Sequence, residues 1–350
     1  MKHKTGVLLV NLGTPDSPSV KNVRSYLSQF LNDPRVIDIP WLMRKLLVNL
    51  IIVPFRAPKS AKIYQELWTD KGSPLLHYTR LASEHLQQEL GDDFHVEYAM
   101  RYKNPSIESV LERMRKMNFA HLIIVPLFPQ YASSTTGSAL QNVMEVIRKW
   151  WVIPEISFVS QYYDHPQFVQ ALLERGKQYP HKEYDHVMFS FHGLPVRQVD
   201  KVYDDGLCED HNCEAEVTDD NKFCYKAVCY ETARQIARGL EIPEEKYTVA
   251  FQSRLGNDPW LEPFADKVVK EQAEKGCKKL LVFSPAFTAD CLETIIEIGE
   301  EYQEIFQEHG GEHLQLVESL NDHPLWIQTL KELVLQRAVF HTPAMAENQN

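Results

Sequence analysis

The chain has 350 residues, 44% hydrophobic and 24% charged, an ordinary globular composition with length enough for two domains. Its net charge of −11 argues against nucleic acid as a partner. The longest apolar run, Leu46 to Phe55, is broken by Asn49 and Pro54 and falls short of the ~20 residues that span a bilayer.

At the N-terminus, the basic Met1 to Lys4 and the apolar Val7 to Val10 look signal-like, but the run stops at Asn11 and no small-residue cleavage site follows. A cytoplasmic location with reduced cysteines is the expectation. Gly6 to Asn11 reads as a strand, followed by a Gly-Thr-Pro-Asp turn and a helix capped by Ser17 or Ser19 that runs to about Leu31. Residues 41–55 gather Trp41, Leu42, Met43, Leu46, Leu47, Leu50, Ile51, Ile52 and Phe55. Apolar helices are usually core, so burial is the first expectation. The alternatives are an apolar lip on a substrate cleft, over about 36–56, and a surface segment that touches a membrane. Helices Lys62 to Trp68 and Leu75 to Glu89 follow. Strands Phe94 to Met100, His121 to Val125 and Ile156 to Val159 then alternate with helices Ser106 to Met117, Thr136 to Trp150 and Pro166 to Arg175.

The second half repeats the scheme with strands Asp185 to Phe191, Tyr247 to Gln252, Lys279 to Phe283 and Leu314 to Glu318. The fold class is α/β: two similar Rossmann-like domains, each a four-stranded parallel sheet flanked by helices, with a cleft between them. The domains are expected at 1–175 and 176–340. The second carries a cysteine insert at about 200–229 and a final helix that packs back on the first; 341–350 is expected to be a flexible tail.

In open α/β sheets, ligands bind outside the carboxyl ends of strands. Those ends carry Leu12 and Thr14, Arg101 and Tyr102, Tyr131 and the hydroxyls of Ser133, Ser134, Thr135 and Thr136, then His192, Ser253, Arg254 and the segment Phe287 to Glu293. The Ser133 to Gly137 stretch suits an anion at a helix start, or a plain N-cap. No P-loop lysine and no G-x-G-x-x-G occurs. Asp290 and Glu293 fit a capping box. Glu293, Glu297, Glu300 or Glu301, and Glu304 also share one face at α-helical spacing, and such a row beside a cleft suits a cation or proton path as well as a solvated face. His192 with Glu293 suits a transient metal ion or proton abstraction, since a tight resident site would want more ligands.

Four segments together resemble the ferrochelatases: Gly6 to Pro15, Gln130 to Gly137, Phe189 to Pro195 and Phe287 to Thr294, in order and spacing along nearly the whole chain. Phe30-Leu31-Asn32-Asp33, Gly72-Ser73-Pro74, Arg101-Tyr102, Gln252-Ser253-Arg254 and Pro259-Trp260 extend the likeness. The resemblance implies insertion of Fe²⁺ into protoporphyrin IX, forming protohaem and releasing two protons. It implies a catalytic histidine at His192, a catalytic glutamate at Glu293, and acidic support from Asp290 and Glu297. Leu12, Trp41, Arg101, Tyr102, Tyr131, Ser133, Ser134, Thr135, Ser253 and Trp260 are the candidate porphyrin contacts. Peripheral membrane contact, on the inner face, is a further expectation. Two departures stand out: Cys291 sits where many members have histidine, and Leu12 cannot ligate a metal.

Cys208, Cys213, Cys224 and Cys229 fall within 22 residues, as a four-thiolate metal site would. Spacing alone leaves zinc or a [2Fe–2S] cluster open. The resemblance favours the cluster, since some ferrochelatases carry one. Alternatives for the whole chain are a chelatase for coproporphyrin III or sirohydrochlorin, or a porphyrin- or haem-binding redox sensor.

Overall fold

The computed structural model describes residues 5–256 and 258–338, and the expected tail 341–350 lies outside them. The first sheet has the order β2-β1-β3-β4, from β1 (Thr5–Gly13), β2 (Phe94–Tyr102), β3 (His121–Pro126) and β4 (Glu155–Phe158). The second has β6-β5-β7-β8, from β5 (His186–His192), β6 (Tyr247–Gln252), β7 (Lys279–Phe283) and β8 (His313–Leu316). Every pairing is parallel. The two halves therefore repeat one plan. Sheets covered by helices on both faces read as continuous apolar runs, which is why β1, β3, β5 and β7 stand out in the sequence without alternation.

The first half carries α1 (Val20–Leu31), α2 (Trp41–Leu46), α3 (Val53–Leu67), α4 (Pro74–Leu90), α5 (Ile107–Arg115), α6 (Ser138–Ile147) and α7 (Pro166–Lys177). The second carries α8 (Val196–Asp200), α9 (Tyr225–Gly239), α10 (Ala265–Glu274), α11 (Gln303–Glu308) and α12 (Pro324–Ala338). Ser19 is the cap of α1, its hydroxyl accepting from the Asn22 N–H.

The segment 41–67 departs from expectation. It is a continuous helical rod, in which a π-helical turn at Leu47–Ile52 joins α2 to α3. Pro54, the second residue of α3, lies just past that turn, and a proline has no N–H to bond back into a regular α-helix. The apolar side chains are not core: Trp41 is 64% exposed, Leu50 66% and Phe55 75%. Val48, Val53 and Ala57 on the other side are buried. Composition signalled an apolar helix, but exposure depends on what packs against it.

One core cluster runs through both halves. It joins Val7 and Leu9 of β1 with Phe189 of β5, and Ala82 and Leu86 of α4 with Trp326 and Leu330 of α12. An ion pair of 2.9 Å from Lys331 to Glu89 lies along the α12–α4 contact. Among the described residues no helix is long and apolar enough to cross a membrane.

Candidate active site

The strand order reverses between β1 and β3, and again between β5 and β7. Such switch points open a crevice at the carboxyl ends of their strands. All four segments that carried the sequence resemblance lie at these ends. The two mouths also meet: Thr288, after β7, donates to the carbonyl of Leu127, after β3, at 3.1 Å. Nearby, Gln130 donates to the buried Thr232 of α9 at 3.1 Å.

His192 is the last residue of β5 and is part-buried. Its Nδ1 lies 2.7 Å from the Gly193 carbonyl oxygen. A carbonyl only accepts, so Nδ1 is the donor here, and in the neutral ring Nε2 then has the lone pair a general base needs. The next position is crowded. A Cβ on Gly193 would stand 2.8 Å from the Gln252 oxygen and 3.3 Å from Cε3 of Trp260, so glycine lets both close in beside the histidine.

Glu293–Tyr302 forms a π-helix, which continues as α11. The α-helical spacing expected for the glutamates therefore does not hold, because i→i+5 bonding widens each turn. Glu297 accepts from Gln252 Nε2 at 3.0 Å, from Ser253 Oγ at 2.5 Å and from the Tyr302 hydroxyl at 3.1 Å. Further along, burial pushes the Glu301 carboxyl up, and Glu297, Glu304 and Glu300 add repulsion. Glu293 neighbours three buried groups. The Tyr26 phenol of α1, the Tyr64 phenol of α3 and the Cys291 thiol are all pushed up, first by burial, with the charge of Glu293 adding to it. These helices of the first half thus close over the glutamate of the second.

Asp290 does not form the expected capping box, since Leu292 stands at the helix start. Its carboxylate accepts instead from Asn321 at 2.8 Å, Thr294 at 3.2 Å and the Ser319 N–H at 3.3 Å. It braces the loops after β7 and β8.

The remaining predicted contacts divide. Leu12 packs with the apolar cluster under the exposed helices, and Trp41 is on their outside. Tyr131 and Phe223 meet edge-on at 6.1 Å, and Trp260 donates to the Leu255 carbonyl at 3.0 Å. Ser133–Gly137 is a π-helical turn: Ser133 accepts from Arg35 at 2.7 Å, Thr135 donates to the Ala132 carbonyl at 3.4 Å, and Ser134 is part-buried beside them. Arg101 is tied to Asp33 at 2.6 Å and to Ser138 at 2.7 Å. Tyr102 needs correction. It has no exposed surface, and its hydroxyl donates to Asp33 at 2.8 Å, so it supports the cleft from beneath.

Sequence reasoning missed several residues that shape this site. Gln252 was quoted only as part of a motif. Tyr26 and Tyr64 carried no signal beyond their apolar rings. Asp38, at the root of the exposed helices, accepts from Arg197, from Lys201 at 2.5 Å and from Gln198 at 3.2 Å, on or beside α8, just past His192.

In the insert, the sulfurs of Cys208, Cys213 and Cys224 lie within 4.8 Å of one another, all buried. Tyr203 and Asn221 approach the Cys213 sulfur at 3.1 and 3.7 Å. A hydrogen bond from Cys208 outweighs burial and lowers the Cys224 thiol to about 5, while Cys208 is pushed up. Three converging soft donors suit a thiophilic metal. Cys229 is buried in α9 and lies outside this group.

Comparison with known proteins gives one answer. The ferrochelatase family profile matches residues 4–338. The ferrochelatase of Coxiella burnetii strain Dugway 5J108-111 is 44% identical over 95% of this chain and 93% of its own. That of Legionella pneumophila strain Lens is 42% identical, over 95% and 98%. Among solved structures, the sirohydrochlorin chelatase SirB of Bacillus subtilis subspecies spizizenii, in complex with cobalt, covers 96% of both chains with a TM-score of 0.54 at 13% identity, a likeness of fold alone. This chain belongs to the ferrochelatase family.

Proposed function

We propose that the chain inserts Fe²⁺ into protoporphyrin IX, giving protohaem and two protons. The observation that carries the reading is a histidine at the end of β5, at one switch point, with a glutamate-lined π-helix at the mouth of the neighbouring strand β7. Two pyrrole N–H protons must leave as the metal enters. His192 Nε2 accepts pyrrole protons, and Glu293, with Glu297 behind it, handles metal or protons. Asp290 supports them by bracing the loop. Fe²⁺ is hydrated, and oxygen and imidazole donors let it exchange water stepwise. The exposed rod with Trp41, Leu42, Leu50 and Phe55 supplies the apolar cover for the macrocycle and the surface for peripheral membrane contact. Tyr131, Ser133, Ser134, Thr135 and Trp260 stand at the same strand ends for its edge and propionates.

The test is anaerobic incubation with Fe²⁺ or Zn²⁺ and protoporphyrin IX, followed by the porphyrin spectrum. Competition with coproporphyrin III and sirohydrochlorin fixes the substrate. His192→Ala should lower the rate by ~10²–10⁴-fold, the worth of a general base. Full activity in that variant would remove the mechanism. Tight porphyrin binding with no metal insertion would favour a sensor.

Cys208, Cys213 and Cys224 would supply three thiolates to a [2Fe–2S] cluster, with zinc as the other thiophilic choice, and Cys229, the fourth thiol expected, would have to turn toward them. Such a centre would support the fold of a polar segment that has little core of its own. Colourless protein with one zinc per chain would exclude the cluster.

A further inference from the structure

Gln252 ends β6 and is 2% exposed. It touches every element of the proposed acid–base machinery. Its backbone is paired with His192 in the sheet, and its carbonyl accepts the Gly193 N–H at 2.7 Å. Its side-chain oxygen accepts from the buried Ser190 hydroxyl, two residues before His192, at 2.6 Å. Its amide nitrogen donates to the Glu293 carbonyl at 3.2 Å and to the Glu297 carboxylate at 3.0 Å. The amide has one workable orientation. A carboxylate accepts, so the NH₂ must face Glu297, while the Ser190 hydroxyl is free to donate to the remaining oxygen.

The next residue adds to the clamp. Ser253 holds a left-handed backbone, φ 64°, unusual for a residue other than glycine, asparagine or aspartate. That conformation accompanies a hydroxyl donated to the same Glu297 oxygen at 2.5 Å. Tyr302 bonds the other oxygen. Glu297 therefore has three donors, which fix its side chain in one place.

We propose that Gln252 and Ser253 are positioning residues for metal insertion. They set the spacing between the His192 strand and the first turn of the glutamate helix, and they hold the Glu297 side chain stationary directly behind Glu293. On this account Ser253 serves Glu297, and is not a porphyrin contact. The proposal rests on the chelatase reading, and its test separates the two.

The variants are Gln252→Met, which keeps bulk and removes both polar ends, and the pair Ser253→Gly and Ser253→Asn. Glycine and asparagine both tolerate the left-handed backbone, and asparagine alone restores a donor. Porphyrin affinity is read by fluorescence quenching, and kcat and the KM for Fe²⁺ by anaerobic insertion. Gln252→Met and Ser253→Gly should lower kcat/KM for Fe²⁺ by ~10–100-fold, the usual effect of losing a group that orients a metal-handling residue. Porphyrin Kd should stay within about twofold, and Ser253→Asn should recover most of the loss. Unchanged iron kinetics in folded Gln252→Met, or a loss confined to porphyrin affinity, would overturn the proposal. Should Gln252→Met fail to fold, equal iron kinetics for Ser253→Gly and wild type would do the same. Wild-type protein with no insertion activity would instead overturn the chelatase reading.

Discussion

Asp33 is where the exposed helices are fastened to the first sheet, and removing its carboxylate should be costly. One oxygen accepts the Arg35 N–H at 2.7 Å. The other accepts from Arg101 at 2.6 Å, Ser138 at 2.6 Å and Tyr102 at 2.8 Å. The side chain is 3% exposed, and Arg101 is 17% exposed. Burial alone would raise the Asp33 carboxyl, but hydrogen bonds from Ser138 and the Arg35 backbone, with the charge of Arg101, outweigh it and hold it below the usual range. Deleting one partner of a buried ion pair costs about 3–5 kcal/mol. Arg101 keeps its bonds to Ser138, which points to the lower end, about 3 kcal/mol for Asp33→Ala. Asp33→Asn keeps the shape and one acceptor, so about 2 kcal/mol is expected, the worth of a charge-assisted bond. Urea unfolding followed by circular dichroism at neutral pH measures both. The folded carboxyl titrates below the unfolded one, so its contribution is complete above the unfolded value near ~4 and fades as pH falls through the folded value. The gap between wild type and Asp33→Ala should therefore narrow in acid. A deficit under about 1 kcal/mol at neutral pH would refute the reasoning, because a surface pair is worth no more than that.

Burial, reinforced by Lys246 and Lys275, lowers His186 to about 4. As pH falls from ~6.5 toward that value the unfolded chain alone takes up a proton, so stability should drop by up to about 3 kcal/mol. His186→Gln should flatten that slope in urea titrations between pH 7.5 and 5, and an unchanged slope would count against it. Gly193→Ala places a methyl 2.8 Å from the Gln252 oxygen, so insertion activity should fall by ~10-fold or more while porphyrin still binds, as judged by quenching. Leu42→Ser with Phe55→Ser should weaken porphyrin binding and leave the urea midpoint nearly unchanged, since both side chains are largely exposed already.

The parallel sheets were legible because a strand buried on both faces leaves an unbroken apolar run, as at Leu122 to Val125. The cleft was legible for a related reason: the mouths of β1, β3, β5 and β7 carry turn residues and hydroxyls that a plain strand end does not need. The π-helices were not. An α-helix and a π-helix are made from the same residue types, so Glu293 to Glu304 was given the wrong pitch. Residues 41–55 left core and exposed lip both open, because apolarity is written in the side chain and exposure is not. Gln252 and Asp33 matter through partners far along the chain, and Tyr102 was misjudged because a strand-end position does not say which way a ring is buried.

The closing helix, α12, has a consequence for how the protein is made. Its Trp326 and Leu330 complete the apolar layer that Ala82 and Leu86 of α4 begin, some 240 residues earlier by position. Synthesis delivers the first half long before that cover exists. Domains usually fold as they emerge, N-terminal first. Here the nascent first half carries an apolar strip on α4 without its α12 cover until α12 leaves the ribosome. A chain that stops short of Pro324 would have both sheets encoded and still display that strip to chaperones and proteases.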